Sequence, residues 1–239
     1  MTVPLFFVDD IALTADFITV DGDEGRHAAD VRRLRAGEVV DVGDGRGHLA
    51  RGVVTDVQRG RIVVQVDERF EVARPRPRFV VAQALAKGGR DLDAVEAMTE
   101  VGVDEVVGWQ AERSVVKPSP RTLERWQATA VSAAKQSHRT WIPAIAAPAC
   151  VDDVRVLLRD ARLAVVLHEE ATQPLADVEL PADGDVVIVV GPEGGLSVDE
   201  LAAFEDAGAG AYRLGNTVLR TSTAGVAALS VLRAKRRWR

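Results

Sequence analysis

Through the first third of the chain, apolar and polar positions alternate with a period of two. "PLFFVD", "FITV", "EVVDVGDG", "HLARGVVTDV" and "RIVVQVDERFEV" each read as a short strand, with "GDGRG" and "QRG" as tight connections. The pattern predicts a small β-barrel over residues 1–72. One helix interrupts it at about Glu24 to Leu34, where Ala28, Val31 and Leu34 share a face and the arginines lie elsewhere on the surface. "ARPRPRF" then favours extended backbone and blocks helix, which places a linker at 73–78.

From 79 to 239 the rhythm changes to apolar strands alternating with amphipathic helices. "FVVAQAL", "DEVVGW", "LAVVLHE", "DVVIVVG" and "AYRLG" read as strands. "DLDAVEAMTEVG", "RTLERWQATAVSAAKQS", "VDDVRVLLRDA", "SVDELAAFEDAG" and the last apolar stretch read as helices. Such alternation predicts an α/β domain whose largely parallel sheet is covered on both faces.

Composition narrows the class. With 47% hydrophobic and 28% charged residues, the 239-residue chain has material for one large or two small packed domains. No apolar run approaches the roughly 18 residues of a membrane span, and "MTVPLFFVDD" is too short for a signal peptide, so a cytoplasmic protein with no membrane partner is expected. A single cysteine, Cys150, and scattered histidines leave no internal disulfide and no metal site. A net charge of -6 argues against general coating of nucleic acid. The distribution matters more, because Arg26, Arg32, Arg33 and Arg35 cluster in "RHAADVRRLR" and the chain ends in "RAKRRWR". Each patch is either a solvated face or a contact surface for RNA.

Two stretches carry candidate chemistry. In "DVVIVVGPEGGLSVDE" an apolar strand ends at Gly191, a loop with Gly194 and Gly195 follows, and Ser197 with Glu200 forms a capping box. Ligands of open α/β sheets bind at such carboxyl ends, and glycines let them approach bare backbone. The Lys-Ser/Thr of a phosphate loop and the dinucleotide G-x-G-x-x-G are both missing, so a different ligand is implied. In "LGNTVLRTSTAGVAALSVL", Thr221, Ser222 or Thr223 is expected to cap the final helix, while Leu214, Gly215 and Leu219 offer backbone and apolar surface to a flat ligand. Arg220 is the only charge between Arg213 and Arg233. A charge beside a buried helix calls for a partner, so Arg220 is either in a structural ion pair or at work in the site.

"VVLHEE", "VVIVVGPEGGLSVDE" and "LGNTVLRTSTAGVAAL" resemble, in order and spacing, the three carboxy-terminal motifs of the trefoil-knotted SPOUT methyltransferases, and most closely the ribosomal RNA small subunit methyltransferase E family. "HAADVRRLRAGE" resembles that family's amino-terminal PUA-like segment, and "AAKQSHRTWIPAI" its helix ending in Gln-Ser-x-Arg before a proline. Departures stand at Lys135, where the family has Glu, and at Thr217 and Ser222, where Arg and Glu are common; they bear on substrate contacts rather than on the fold.

The resemblance implies S-adenosyl-L-methionine as methyl donor, uridine N3 of 16S ribosomal RNA in the small ribosomal subunit as acceptor, and a homodimer. It also implies cofactor binding by Leu167, His168, Glu169, Gly191, Pro192, Glu193, Gly194, Gly195, Leu214, Gly215, Leu219, Arg220, Thr221, Thr223 and Ala224. Arg26, Arg32, Arg33 and Arg35 are expected to hold RNA, and Arg220, Arg139 and Glu193 to serve catalysis, with no general base assigned. His168 reaches the cofactor by side chain or by backbone, or only packs. The competing readings are a knotted enzyme acting on a ribose 2'-hydroxyl and a non-catalytic RNA-binding assembly protein.

Overall fold

The computed structural model describes residues 3–8, 15–117 and 119–235, and its contacts divide them into two units. One runs up to Arg74 and takes in Ala134–Ile142; the other comprises Pro75–Ala133 and the chain from Pro143 on. The basic tail beyond Lys235 lies outside the described residues.

In the amino-terminal unit the alternating segments form β1 (Leu5–Phe7), β2 (Phe17–Val20), β3 (Val39–Gly43), β4 (His48–Gln58) and β5 (Arg61–Glu71), paired in the order β1-β3-β4-β5-β2. Period-two patterning sorts the faces: Ile18 and Val20 are buried with Phe6, Val40, Val42, Val54, Ile62 and Val64, while Phe17 and Thr19 point out. Among the described residues no ladder joins β1 to β2, and Ala28 of the helical segment that follows β2, with Leu34 just beyond its end, helps to close the core.

That segment departs from the even helix expected. After α1 (Gly22–Arg26) the backbone widens into a π-helical turn, His27–Val31, in which the Arg32 N–H donates to the His27 carbonyl at 2.8 Å. Widening changes the angular step, so Val31 turns out to 68% exposure and leaves the face it was expected to share with Ala28 and Leu34.

Ala134–Ile142 packs on this unit through specific bonds. Lys135 Nζ meets Glu24 Oε1 at 2.5 Å, the Trp141 indole donates to the Val72 carbonyl at 2.8 Å, and the Ile142 N–H donates to the Gly45 carbonyl at 2.9 Å. The chain thus returns to its amino-terminal unit, which a division at 73–78 does not foresee.

The second unit is built on β6 (Arg78–Ala84), β7 (Glu105–Trp109), β8 (Ala144–Ala149), β9 (Leu163–Leu167), β10 (Gln173–Pro174), β11 (Asp185–Val190) and β12 (Gly210–Arg213). Their order is β10-β12-β9-β11-β6-β7-β8, and every pair is parallel. The two edge strands were not expected. β8 is the proline-containing "AIAAPA", a composition tolerated at an edge, where one side of the ladder is unused.

Helices α2 (Arg90–Val101), α3 (Pro120–Gln136), α4 (Val151–Asp160), α5 (Val198–Asp206) and α6 (Thr221–Ala234) cover the sheet. Successive residues of one strand serve opposite layers. Val186, Ile188 and Val190 pack with Met98 of α2, Trp126 of α3 and Leu229 of α6, whereas Val187 and Val189 pack with Leu158 of α4 and Phe204 of α5. α6 lies close against α2 at Gly225, where a Cβ would stand 2.7 Å from Met98 Sδ and the methionine would have to shift. At the amino-terminal ends of the strands, Arg78 holds Asp185 through two bonds of 3.0 and 2.8 Å and Glu105 through one of 2.9 Å. β6, β7 and β11 are thereby pinned together, and their carboxyl ends open at the opposite edge.

Candidate functional site

Because β12, β9 and β11 are adjacent and parallel, the loops that follow them emerge side by side at the carboxyl edge. They enclose a cleft of about 480 Å³, within the range of small-molecule sites. Its walls come from Leu167 to Glu169 after β9, from Val190 to Glu193 with Gly195 and Leu196 after β11, and from Tyr212 to Thr221 with Ala224 after β12.

Two of these loops are bonded to each other. The Thr221 hydroxyl donates to the Gly191 carbonyl at 3.0 Å, and Thr221 itself is buried. No hydroxyl therefore caps α6: its N-cap is Arg220, with no side-chain cap, and the Arg220 carbonyl accepts the Thr223 and Ala224 N–H groups at 2.8 and 2.9 Å. The expected cap fails because the helix begins on Thr221 itself, so the cap position falls to Arg220, which has no hydroxyl to offer. At α5 the expected capping box is present, with Ser197 Oγ accepting the Glu200 N–H at 3.2 Å and Glu200 Oε2 accepting the Ser197 N–H at 2.9 Å. The buried Glu200 also takes the Glu112 N–H at 2.7 Å, which fixes the loop after β7 to α5.

Of the residues singled out from sequence, Leu167, His168, Glu169, Gly191, Pro192, Glu193, Gly195, Leu214, Gly215, Leu219, Arg220, Thr221 and Ala224 line the cleft. Gly195 and Gly215 stand at φ +72° and +81°, conformations that side chains disfavour. Gly194 and Thr223 are not among the lining residues, and a Cβ on Gly194 would meet Arg113 Cβ at 3.1 Å. His168 donates its N–H to the Tyr212 carbonyl at 3.0 Å, and its Nδ1 accepts the Glu170 N–H at 3.3 Å.

Arg220 is exposed at the cleft and, among the described residues, forms no ion pair. Glu193 does not serve its own loop: its Oε1 accepts the Lys87 N–H at 3.4 Å and lies 3.7 Å from Arg90 Nη1. Arg139 belongs to the amino-terminal unit, on the returning segment, and is not a lining residue. Arg26, Arg32, Arg33 and Arg35 are all exposed on that unit, with Arg26 paired to Asp23.

Sequence reasoning did not place Val190, Leu196, Tyr212 or Arg213 in the site, although they line the cleft. Val190 and Tyr212 end or nearly end strands whose following loops had been singled out, so strand-end position was the available signal.

Two family models cover most of this chain. Residues 74–233 match the model of the RNA methyltransferase domain, and residues 20–67 that of the RNA methyltransferase PUA domain. The ribosomal RNA small subunit methyltransferase E of Mycobacterium bovis is 45% identical over 97% of this chain and 92% of its own length; that of Bacillus subtilis is 28% identical over 91% and 90%. Among solved structures, the Neisseria gonorrhoeae ribosomal RNA small subunit methyltransferase E bound to S-adenosyl methionine superposes with a TM-score of 0.88 at 25% identity over 98% of each chain. A Legionella pneumophila protein solved with bound SAM gives 0.87 at 26% identity, again over 98% of each chain. With a PUA-like unit ahead of a parallel-sheet methyltransferase unit and relatives matched over nearly their full length, the chain belongs to the ribosomal RNA small subunit methyltransferase E family.

Proposed function

We propose that this protein transfers a methyl group from S-adenosyl-L-methionine to uridine N3 of 16S ribosomal RNA in the small ribosomal subunit, acting in the cytoplasm as a homodimer. The observation that carries the reading is the cleft that the three loops after β9, β11 and β12 form together. S-adenosylmethionine fits it. Leu167, Val190, Leu196, Leu214 and Leu219 supply apolar wall for a flat base, while Gly191, Gly195 and Gly215, having no side chains, leave room for the polar parts to approach the backbone. When bound, this group supplies an electrophilic methyl on a sulfonium.

The chain's own part is positioning and electrostatics. Uracil N3 carries a proton at neutral pH and must give it up to water to become a nucleophile, which leaves negative charge shared with the neighbouring carbonyl oxygens until the bond to the methyl forms. The Arg220 guanidinium, exposed at the cleft and not held in an ion pair among the described residues, is suited to stabilise that charge. Arg139, on the segment that returns to the amino-terminal unit, is a second candidate for the same electrostatic role. The arginines at 26, 32, 33 and 35 would hold RNA. The knotted backbone implied by the family resemblance belongs to the same reading.

The test is mass spectrometry of modified nucleosides after incubation with labelled cofactor and unmodified small ribosomal subunits. Label in 3-methyluridine is expected; label on ribose, or none, would overturn the assignment. Analytical ultracentrifugation checks the dimer, and a monomer at working concentration would remove that part.

A further inference from the structure

The carboxyl edge of the sheet carries more than the cleft. Beyond β11 the next strands are β6 and β7, parallel to it, so the loops after them open at the same edge. Those loops bring three exposed cations against the outer side of the Gly191–Gly195 loop. Lys87 lies where its own N–H bonds Glu193 Oε1 at 3.4 Å, Arg90 Nη1 stands 3.7 Å from the same oxygen, and Arg113 Nη1 donates to the Gly194 carbonyl at 3.0 Å. Glu193 itself lines the cleft, so this cluster sits at its rim.

Charge at this edge runs against the sign of the chain as a whole. Counting the groups that line the cleft or touch the Gly191–Gly195 loop, Lys87, Arg90, Arg113, Arg213 and Arg220 face only Glu169 and Glu193, in a protein of net charge -6. The pairing with Glu193 does not use these cations up. Arg90 keeps 47% of its side chain exposed and its ion pair is long, and exposed pairs of this kind contribute little. Arg113 spends one guanidinium N–H on a carbonyl and keeps the rest of its fork. A phosphate can therefore take these donors at small loss.

We propose that Lys87, Arg90 and Arg113 form a second RNA-binding site, a phosphate-holding rim that seats the backbone of the substrate strand beside the cleft. This rests on the function proposed above. It assigns RNA contact to the methyltransferase unit itself, additional to the arginines of the amino-terminal unit. Guanidinium forks and an ammonium around one edge suit successive phosphates, which position a strand without reading its sequence.

The experiment measures binding of unmodified small-subunit ribosomal RNA over a range of salt concentrations, for wild type, the Lys87→Gln/Arg90→Gln double variant, Arg113→Gln and Arg113→Lys. Calorimetry with S-adenosylmethionine is run on the same preparations. Each lost phosphate contact on a single strand should flatten the slope of log K against log salt by about 0.7, with cofactor affinity held and Arg113→Lys retaining the wild-type slope. Unchanged slopes in both glutamine variants overturn the rim while leaving the proposed function standing. A fall in cofactor affinity without a change in slope overturns it too, since the cations would then only brace the loop. Wild-type protein that binds neither RNA nor cofactor overturns both proposals.

Discussion

Thr221→Val tests whether the walls of the cleft are held together by the bond between Thr221 and Gly191. The substitution exchanges a hydroxyl for a methyl of nearly the same shape, at a residue only 5% exposed, so it opens no cavity and removes one bond of 3.0 Å. A neutral hydrogen bond of this kind contributes about 0.5–1.5 kcal/mol net. The Gly191 carbonyl stands at an open cleft and regains water, so the larger penalty for a buried unsatisfied acceptor is mostly avoided. The expected loss is about 1 kcal/mol, which lowers Tm by roughly 2–4 °C for a unit of this size. If the freed loop must be ordered again when ligand binds, the same energy appears as about fivefold weaker affinity for S-adenosylmethionine. Differential scanning fluorimetry and calorimetry measure the two effects. Thr221→Ser keeps the hydroxyl and should restore both. A Thr221→Val protein with wild-type Tm and affinity, or a serine variant as impaired as the valine, would refute the tie.

Arg220→Lys keeps the charge but loses the fork; the single-turnover rate should fall by roughly 10²-fold with cofactor affinity little changed, and a normal rate would remove Arg220 from the chemistry. Neutralising two of Arg26, Arg32, Arg33 and Arg35 should weaken RNA binding and reduce its salt slope by about one per lost contact at most, without touching cofactor affinity; equal slopes would leave these arginines as a solvated face. Gly225→Val forces α6 away from Met98 and should destabilise the second unit by about 1–3 kcal/mol in thermal or urea unfolding, whereas unaltered stability would mean that Met98 yields freely.

The parts of this molecule legible in the sequence are those whose signal is local. The capping box at Ser197 and Glu200, the apolar run of β11 and the glycine loop after it each announce themselves within a few residues, and parallel pairing then brings the predicted loops into one cleft. What escaped depends on partners distant in sequence or on a change of helical step. Thr221 looks like a cap, yet the helix begins on it, and its hydroxyl donates to the Gly191 carbonyl thirty residues earlier. Gly194 looks like a place for ligand to approach, yet its open side is turned to Arg113. Val31 has the spacing of a core residue, and a π-helical turn moves it out. β8, with its proline, lacks the signature of a strand and exists because β7 offers it an edge.

The return of Ala134–Ile142 to the amino-terminal unit bears on how the protein emerges during synthesis. Trp141 completes a bond to Val72 across 69 residues, and Lys135 reaches Glu24 across 111. A nascent chain that has released only its first 74 residues has all five strands of that unit but not the segment that packs against them. Domains commonly fold in order as they leave the ribosome. Here the first unit must wait for β6, α2, β7 and α3 of the second before its last contacts can form. A fragment cut at the linker would leave the polar partners of Trp141 and Lys135 facing water, so the amino-terminal unit is not encoded by one continuous stretch of the gene.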